Sequence, residues 1–115
     1  MSQYLILIYD DEAKLAEATP EEYEQLHKEH AMFAQRNAGA LRGGNALHPT
    51  GSATSIRREA SGDLTVTDGA FAETKEALGG YYLIEAADLD EAVAVAKQVP
   101  ARFGGVEVRP IMTFG

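Results

Sequence analysis

The sequence contains no cysteine and few basic residues. Without cysteine the chain cannot form disulfides, thiolate nucleophiles or sulfur-ligated metal sites. Ten Lys and Arg stand against 18 Asp and Glu, which gives a formal net charge of −8. Nucleic acids and anionic membrane surfaces bind proteins through positive patches. The charge balance therefore predicts neither nucleic acid nor membrane as a partner.

Long hydrophobic runs are also missing. The longest apolar stretch, residues 3–9, is too short to cross a bilayer, and acidic residues 10–12 follow it where a signal peptide needs a cleavage site. We therefore expect a cytoplasmic protein. The composition, 45% hydrophobic and 24% charged, is typical of a globular chain. The length fits a single domain over residues 1–115 that has its own core.

The first half of the chain predicts a strand followed by a long helix. Residues 3–9 (QYLILIY) are rich in Ile, Leu and Tyr and predict a strand buried on both faces. Residues 19–22 (TPEE) then supply a capping Thr, a Pro suited to the first helical position and a Glu three residues after the cap. We expect this helix to run to about Ala38, with Gly39 as a left-handed stop.

One face of the predicted helix is apolar and includes a histidine. At 100° per residue this stripe collects Tyr23, Leu26, His30, Phe33 and Ala34. His30 is therefore expected to point toward the sheet, whereas His27 lies at the edge of the stripe.

The middle of the chain predicts short strands. A Gly-Gly pair interrupts residues 40–47, which indicates a strand with a bulge. Residues 52–58 and 64–67 indicate the two strands of a hairpin.

The last third predicts a helical turn at residues 71–78 and a buried strand at residues 81–85. A second helix is expected to begin after Asp88 and to end at Pro100, before a closing strand at residues 106–111. The predicted order is β-α-β, an extra hairpin, and β-α-β. Two helices on one face of a mainly antiparallel sheet form a ferredoxin-like α+β sandwich.

Such a fold leaves one face of the sheet without a cover. Packing two sheets face to face in a homodimer would supply the cover. The sequence therefore predicts a dimer of this chain.

A distinctive motif begins at residues 68–71 (DGAF) and continues through AETKE to Gly79 and Gly80. Together with YLILIY near the start, GGNAL in the middle and VEVRPI near the end, it resembles the YCII-related proteins. The resemblance is to the subgroup with an Asp-Gly-Pro-Phe (DGPF) motif. Ala70 stands where that motif has proline, and so the loop lacks the fixed φ that proline imposes.

This resemblance implies a ferredoxin-like fold, a dimeric α+β barrel, and a histidine–aspartate pair in a cleft between helix and sheet. The architecture is shared with muconolactone isomerases and small antibiotic-biosynthesis monooxygenases. A few YCII-related proteins are associated with dehydrochlorination of chlorinated aromatic intermediates, and most of the DGPF subgroup has no assigned reaction. Members of this subgroup often accompany regulators of the extracytoplasmic sigma-factor type.

His30 and Asp68 are the leading candidates for acid–base chemistry. A histidine oriented by a carboxylate can take and return a proton near neutral pH without a metal. His30 is expected to face the sheet, and Asp68 ends a predicted strand at the mouth of the same layer. Alternatively, His30 is a core residue bonded to a backbone carbonyl and Asp68 belongs to an Asp-Gly turn. His27 is the substitute candidate for the catalytic histidine.

Four further residues are candidates for binding a substrate. Phe71 would form a pocket wall or a core plug, and the plug is the commoner use of an aromatic side chain. Lys75 either lines the pocket or is solvated. Gly79 and Gly80 either let a ligand approach the backbone or permit a bend before the strand.

Other site classes lack their motifs. His27, His30 and His48 show no H-x-x-x-H spacing, and no phosphate-binding loop or Gly-x-Ser-x-Gly elbow is present, so we expect no metal and no cofactor. The sequence favours a cofactor-free lyase or isomerase acting on a small, partly apolar organic molecule. The alternative is a non-catalytic ligand-binding or regulatory dimer.

Overall fold

The computed structural model describes residues 1–114 as a four-stranded sheet, a separate two-stranded hairpin and three helices. The strands are β1 (Ser2–Asp11), β2 (Leu41–Ala46), β3 (Thr54–Arg58), β4 (Leu64–Asp68), β5 (Glu76–Ala86) and β6 (Gly104–Pro110). The helices are α1 (Glu12–Ala16), α2 (Pro20–Arg36) and α3 (Leu89–Ala96), with a 3-10 turn at Thr50–Ser52. Among residues 1–114, no helix is long and apolar enough to cross a bilayer.

The main sheet has the order β2-β5-β1-β6, and each neighbouring pair is antiparallel. The two β-α-β units therefore interleave, so that the first strand of each unit lies at the centre of the sheet. The hairpin β3–β4 forms its own sheet between them in sequence. The predicted ferredoxin-like α+β fold with an extra hairpin is confirmed.

Alternation along β1 determines which face of the sheet is covered. Tyr4, Ile6 and Ile8 are buried against the helices, while Leu5 and Leu7 on the opposite face are only half-buried. Successive side chains in a strand point to opposite faces, and the helices cover one of them. The expectation that this strand is buried on both faces is therefore wrong for the single subunit.

The long helix α2 packs on the sheet through Phe33, which is fully buried. Its ring lies 4.8 Å from that of Tyr82 on β5, measured between centroids. Burial of an aromatic side chain of this size contributes about 1.5–3 kcal/mol. Small side chains bring α3 close to the same core: Ala92, Val95 and Ala96.

The ends of the first helical region differ from the sequence-based expectation. Helix α2 ends at Arg36 rather than at Ala38, and Asn37 caps it by donating from its backbone N–H to Phe33 O at 3.0 Å. The Asn37 side chain donates to the same carbonyl, so Gly39 is not needed as a left-handed stop and has no positive φ. The short helix α1 was not predicted.

Strand β5 begins earlier than expected. Residues 71–78 form no helical turn, because Glu76 already pairs with Asp11 of β1. Gly79 and Gly80 consequently lie inside the strand rather than before it. Pairing with β1 on one side and β2 on the other overrides the local preference of these glycines for a bend.

Helix α3 and the hairpin match their predictions more closely. Asp88 caps α3 by accepting from Glu91 N, although the helix ends at Ala96, short of Pro100. The hairpin turn contains Gly62 with a φ of 95°, a conformation that favours glycine.

Candidate functional site

A cavity of about 490 Å³ opens between α2 and the sheet. The ends of β1, β2 and β5, together with α1, complete its wall. All three histidines of the chain and two carboxylates lie on this wall: His27, His30, His48, Asp10 and Glu12. Apolar side chains separate them, and three of these are Ile8, Leu26 and Leu47. Mixed lining of this kind is typical of a site for a small organic ligand.

His30 faces the sheet because it shares the buried side of α2 with Phe33, three residues further along the helix. Its Nδ1 lies 2.7 Å from the hydroxyl oxygen of Tyr82. Burial lowers the pKa of His30 below its ordinary value of 6.5; Glu29 opposes this shift and His27 adds to it. The imidazole is therefore held neutral near pH 7 and is able to accept a proton.

Tyr82 reaches His30 from the centre of β5, where it pairs with Ile6 and with Gly44. A Cβ atom at Gly44 would come within 2.7 Å of the Tyr82 ring, so glycine is required for the ring to occupy this position beside β2. Burial raises the pKa of Tyr82 above 10.0, which keeps its hydroxyl protonated. Tyr82 is not among the site residues predicted from the sequence. Its signal was the alternation along residues 81–85, which sends Tyr82 to the same face as the buried Ile84.

Asp10, near the end of β1, is the second group that the sequence analysis missed. Burial raises the pKa of Asp10 above 3.8, and the charges of Glu12 and Glu76 raise it further. Its carboxylate occupies the space where a side chain at Gly79 would stand. The acidic residues 10–12, which in the sequence only argued against a signal peptide, therefore place a carboxyl group in the cavity.

Glu12 closes one end of the cavity. Its carboxylate accepts hydrogen bonds from the backbone N–H of Thr50, at 2.9 Å, and from the Thr50 hydroxyl. A second cavity of about 320 Å³ lies beyond it, and Glu12 and Ala77 line both.

The structure brings together four of the residues that the sequence singled out. His30, His27, Gly79 and Gly80 all line the large cavity. Asp68 does not: it lies exposed at the end of β4, opposite Thr54, and the hydrogen-bond partner of His30 is Tyr82. The expected His30–Asp68 contact is absent from the described subunit because the hairpin forms a sheet of its own.

Phe71 and Lys75 lie outside both cavities. Phe71 is 59% exposed, with the guanidinium carbon of Arg57 3.8 Å from its ring centroid. It is thus neither the core plug nor the pocket wall that the sequence suggested. Lys75 is exposed, which agrees with the alternative prediction that its side chain is solvated.

Within residues 1–114, no three His, Cys, Asp or Glu side chains converge in a way that could hold a metal ion. The three histidines of the cavity are therefore distributed along its wall rather than gathered at one point.

Comparison with known proteins matches the YCII-related domain to residues 2–115 of this chain. An uncharacterized protein of Rhizobium meliloti (strain 1021) is 37% identical over 116 residues, an alignment that covers 96% of this chain and 93% of the relative. The description of that relative names no reaction.

Proposed function

Because the chain belongs to the YCII-related domain family, we propose that its large cavity is the site of a cofactor-free acid–base reaction. The reaction is of the lyase or isomerase type, on a small and partly apolar organic molecule. We also propose that the chain belongs to the DGPF-motif subgroup of this family, and residues 68–71 (DGAF) support this assignment. One observation carries it: a neutral imidazole, fixed by a 2.7 Å hydrogen bond to Tyr82, on the wall of an open cavity.

His30 is the proton acceptor in this scheme. We assign Nδ1–H as the donor to the Tyr82 oxygen, which leaves a free lone pair on Nε2. Nε2 has no hydrogen-bond partner among residues 1–114. Its lone pair is thus available to a C–H or O–H group of the bound molecule. Tyr82 is a positioning residue that holds the ring through this hydrogen bond.

Asp10 takes the place that the sequence gave to Asp68. Its carboxyl group lines the same cavity as His30, and burial moves the pKa values of the two groups toward each other, upward for Asp10 and downward for His30. A negative charge close to an imidazole favours its protonated form. The Asp10 carboxylate can therefore stabilise the imidazolium that forms when His30 takes a proton from the ligand.

The test follows proton transfer without knowledge of the natural substrate. The protein is incubated in D₂O with small C–H acids, such as unsaturated lactones and β-dicarbonyl compounds, and loss of the ligand proton signal is followed by NMR. We expect His30→Gln and Asp10→Asn each to slow the exchange by about two orders of magnitude or more. Exchange that is unchanged in His30→Gln would contradict the proposal.

Two variants make the result specific. Asp90→Asn changes the net charge by the same amount as Asp10→Asn but alters an exposed residue of α3. Asp68→Asn compares the carboxylate expected from the sequence with the one found in the cavity. We expect both to keep the wild-type exchange rate. Binding without exchange would instead indicate the alternative function, a ligand-binding or regulatory protein.

A further inference from the structure

The wall of the large cavity carries carboxylates but no lysine or arginine. From this asymmetry we propose that the molecule bound there is an organic amine, which enters as a cation and places its ammonium group at Asp10. The inference rests on the proposed function only in taking this cavity as the ligand site. It adds the charge and the chemical class of the ligand.

An anionic ligand would find no lysine or arginine in the lining of this cavity. A carboxylate or phosphate removed from water needs a cationic group beside it. Arg42 and Arg102 are paired with carboxylates outside the lining, with Glu85 at 2.7 Å and Glu29 at 2.8 Å. His30 is held neutral by its burial. An anion would therefore meet two carboxylates and no compensating charge from a lysine or arginine.

Asp10 is the carboxylate that is free to accept an ammonium group. Glu12 is already occupied by the backbone and hydroxyl of Thr50. Asp10 makes no side-chain hydrogen bond and no ion pair with any residue of 1–114, and its neighbours Glu12 and Glu76 add negative charge around it. A cation at this position would relieve the repulsion and supply the missing partner.

The rest of the wall suits the body of such a molecule. Aromatic rings attract cations through their faces, and two tyrosines line the cavity from α2 and from the helix-facing side of β5, Tyr23 and Tyr82. Leu26 and Leu47 offer apolar contact. The volume, about 490 Å³, accommodates a molecule with one or two rings.

Three probes of equal size test the charge of the ligand: benzylamine, benzyl alcohol and benzoate. Their binding is measured by isothermal titration and by the shifts of the three imidazole resonances in NMR spectra. The measurement is made at about pH 8, where an imidazole of ordinary pKa is neutral. We expect benzylamine to bind at least about tenfold more tightly than benzyl alcohol, and benzoate to bind most weakly.

Variants separate a contact at Asp10 from general attraction to an acidic protein. Asp10→Asn should remove the preference for benzylamine, whereas Asp90→Asn, with the same change in net charge, should keep it. Gly79→Ala tests the same contact in a second way, because the added methyl group would displace the Asp10 carboxylate and should also remove the preference for benzylamine. Gly105→Ala, whose Cβ meets nothing within 4 Å, is its control.

Each alternative outcome overturns a different statement. If benzyl alcohol or benzoate shifts the imidazole resonances and binds as tightly as benzylamine, the ligand is not an amine. The cavity would still be the ligand site. If the preference survives in both Asp10→Asn and Gly79→Ala, Asp10 is not the contact. If no probe shifts any imidazole resonance, the cavity is not the ligand site and the proposed function fails with it.

Discussion

At the scale of single residues, two glycines inside strands shape the cavity. Gly44 leaves room for the ring of Tyr82, and Gly79 leaves room for the carboxylate of Asp10. Neither glycine lies in a turn or has a positive φ. A side chain at Gly79 would displace the Asp10 carboxylate, and one at Gly44 would collide with the Tyr82 ring and with the carbonyl oxygen of Tyr81 in the neighbouring strand. Glycine is therefore used here for close approach, and the groups that it admits are those we assign to proton transfer and ligand binding.

The burial of His30 also predicts how stability depends on pH. Its pKa is lower in the folded state than the 6.5 of an exposed imidazole, so the unfolded chain binds more protons as the pH falls. The contribution of the neutral, buried His30 to the free energy of unfolding is therefore complete above pH 6.5. It is lost as the pH falls through the pKa that His30 has in the folded state. The raised pKa of Asp10 has the opposite effect, because it makes the free energy of unfolding fall as the pH rises. This effect begins at lower pH, near the ordinary value of 3.8.

We therefore expect urea midpoints of the wild type to fall as the pH is lowered from about 7 to about 5, and those of His30→Gln to fall less. His48→Gln, at an exposed histidine on the same wall, serves as the control and should keep the wild-type slope. An equal slope in wild type and His30→Gln would show that His30 titrates alike in both states.

At the scale of helices and strands, local signals predicted the elements but not the contacts between distant ones. The Thr19 capping box and the apolar stripe of α2 are visible in the sequence, and the helix follows them closely. The start of β5 is not visible, because it depends on pairing with β1 across more than sixty residues of chain. For the same reason the sequence did not reveal that Asp10 shares a cavity with His30 and that Asp68 does not, because proximity to His30 depends on which sheet a strand joins.

The capping of α2 gives a prediction at this scale. The Thr19 hydroxyl accepts from Glu22 N, and the Glu22 side chain accepts from Thr19 N, each at 3.1 Å. Removing the hydroxyl leaves an unsatisfied donor at the start of the helix that carries His27 and His30. We expect Thr19→Ala to lower the free energy of unfolding by about 1 kcal/mol in urea titrations.

Glu24→Ala on the same helix is the control for Thr19→Ala. It removes only an exposed ion pair with Lys28, and should cost a few tenths of a kcal/mol at most. Equal losses in the two variants would show that the cap contributes nothing specific.

At the scale of the whole molecule, the subunit is flat and incompletely covered. Its extents are 47 × 47 × 18 Å and its radius of gyration is 16.3 Å. A compact domain of this length has a radius of gyration of about 13 Å. The sheet face away from the helices presents half-buried apolar side chains: Leu5, Leu7, Tyr81 and Leu83. A continuous apolar surface of this kind on a small protein marks an interaction site.

We propose that a second copy of the chain covers this face, which gives a homodimer with the two sheets packed together. Leu83 lies near the middle of the face, between Leu5 of β1 and Gly43 of β2. Leu83→Glu would bury a charge without a partner in the interface, and should shift the protein to monomer. Met32→Glu adds the same charge on the exposed side of α2, where Met32 is 55% exposed, and should leave the dimer intact.

Size-exclusion chromatography with light scattering measures the mass of each variant. The wild type and Met32→Glu should give about twice the chain mass of 12.4 kDa, and Leu83→Glu should give the mass of a single chain. A wild type that elutes as a monomer, or a Leu83→Glu variant that stays dimeric, would show that this face is not the interface.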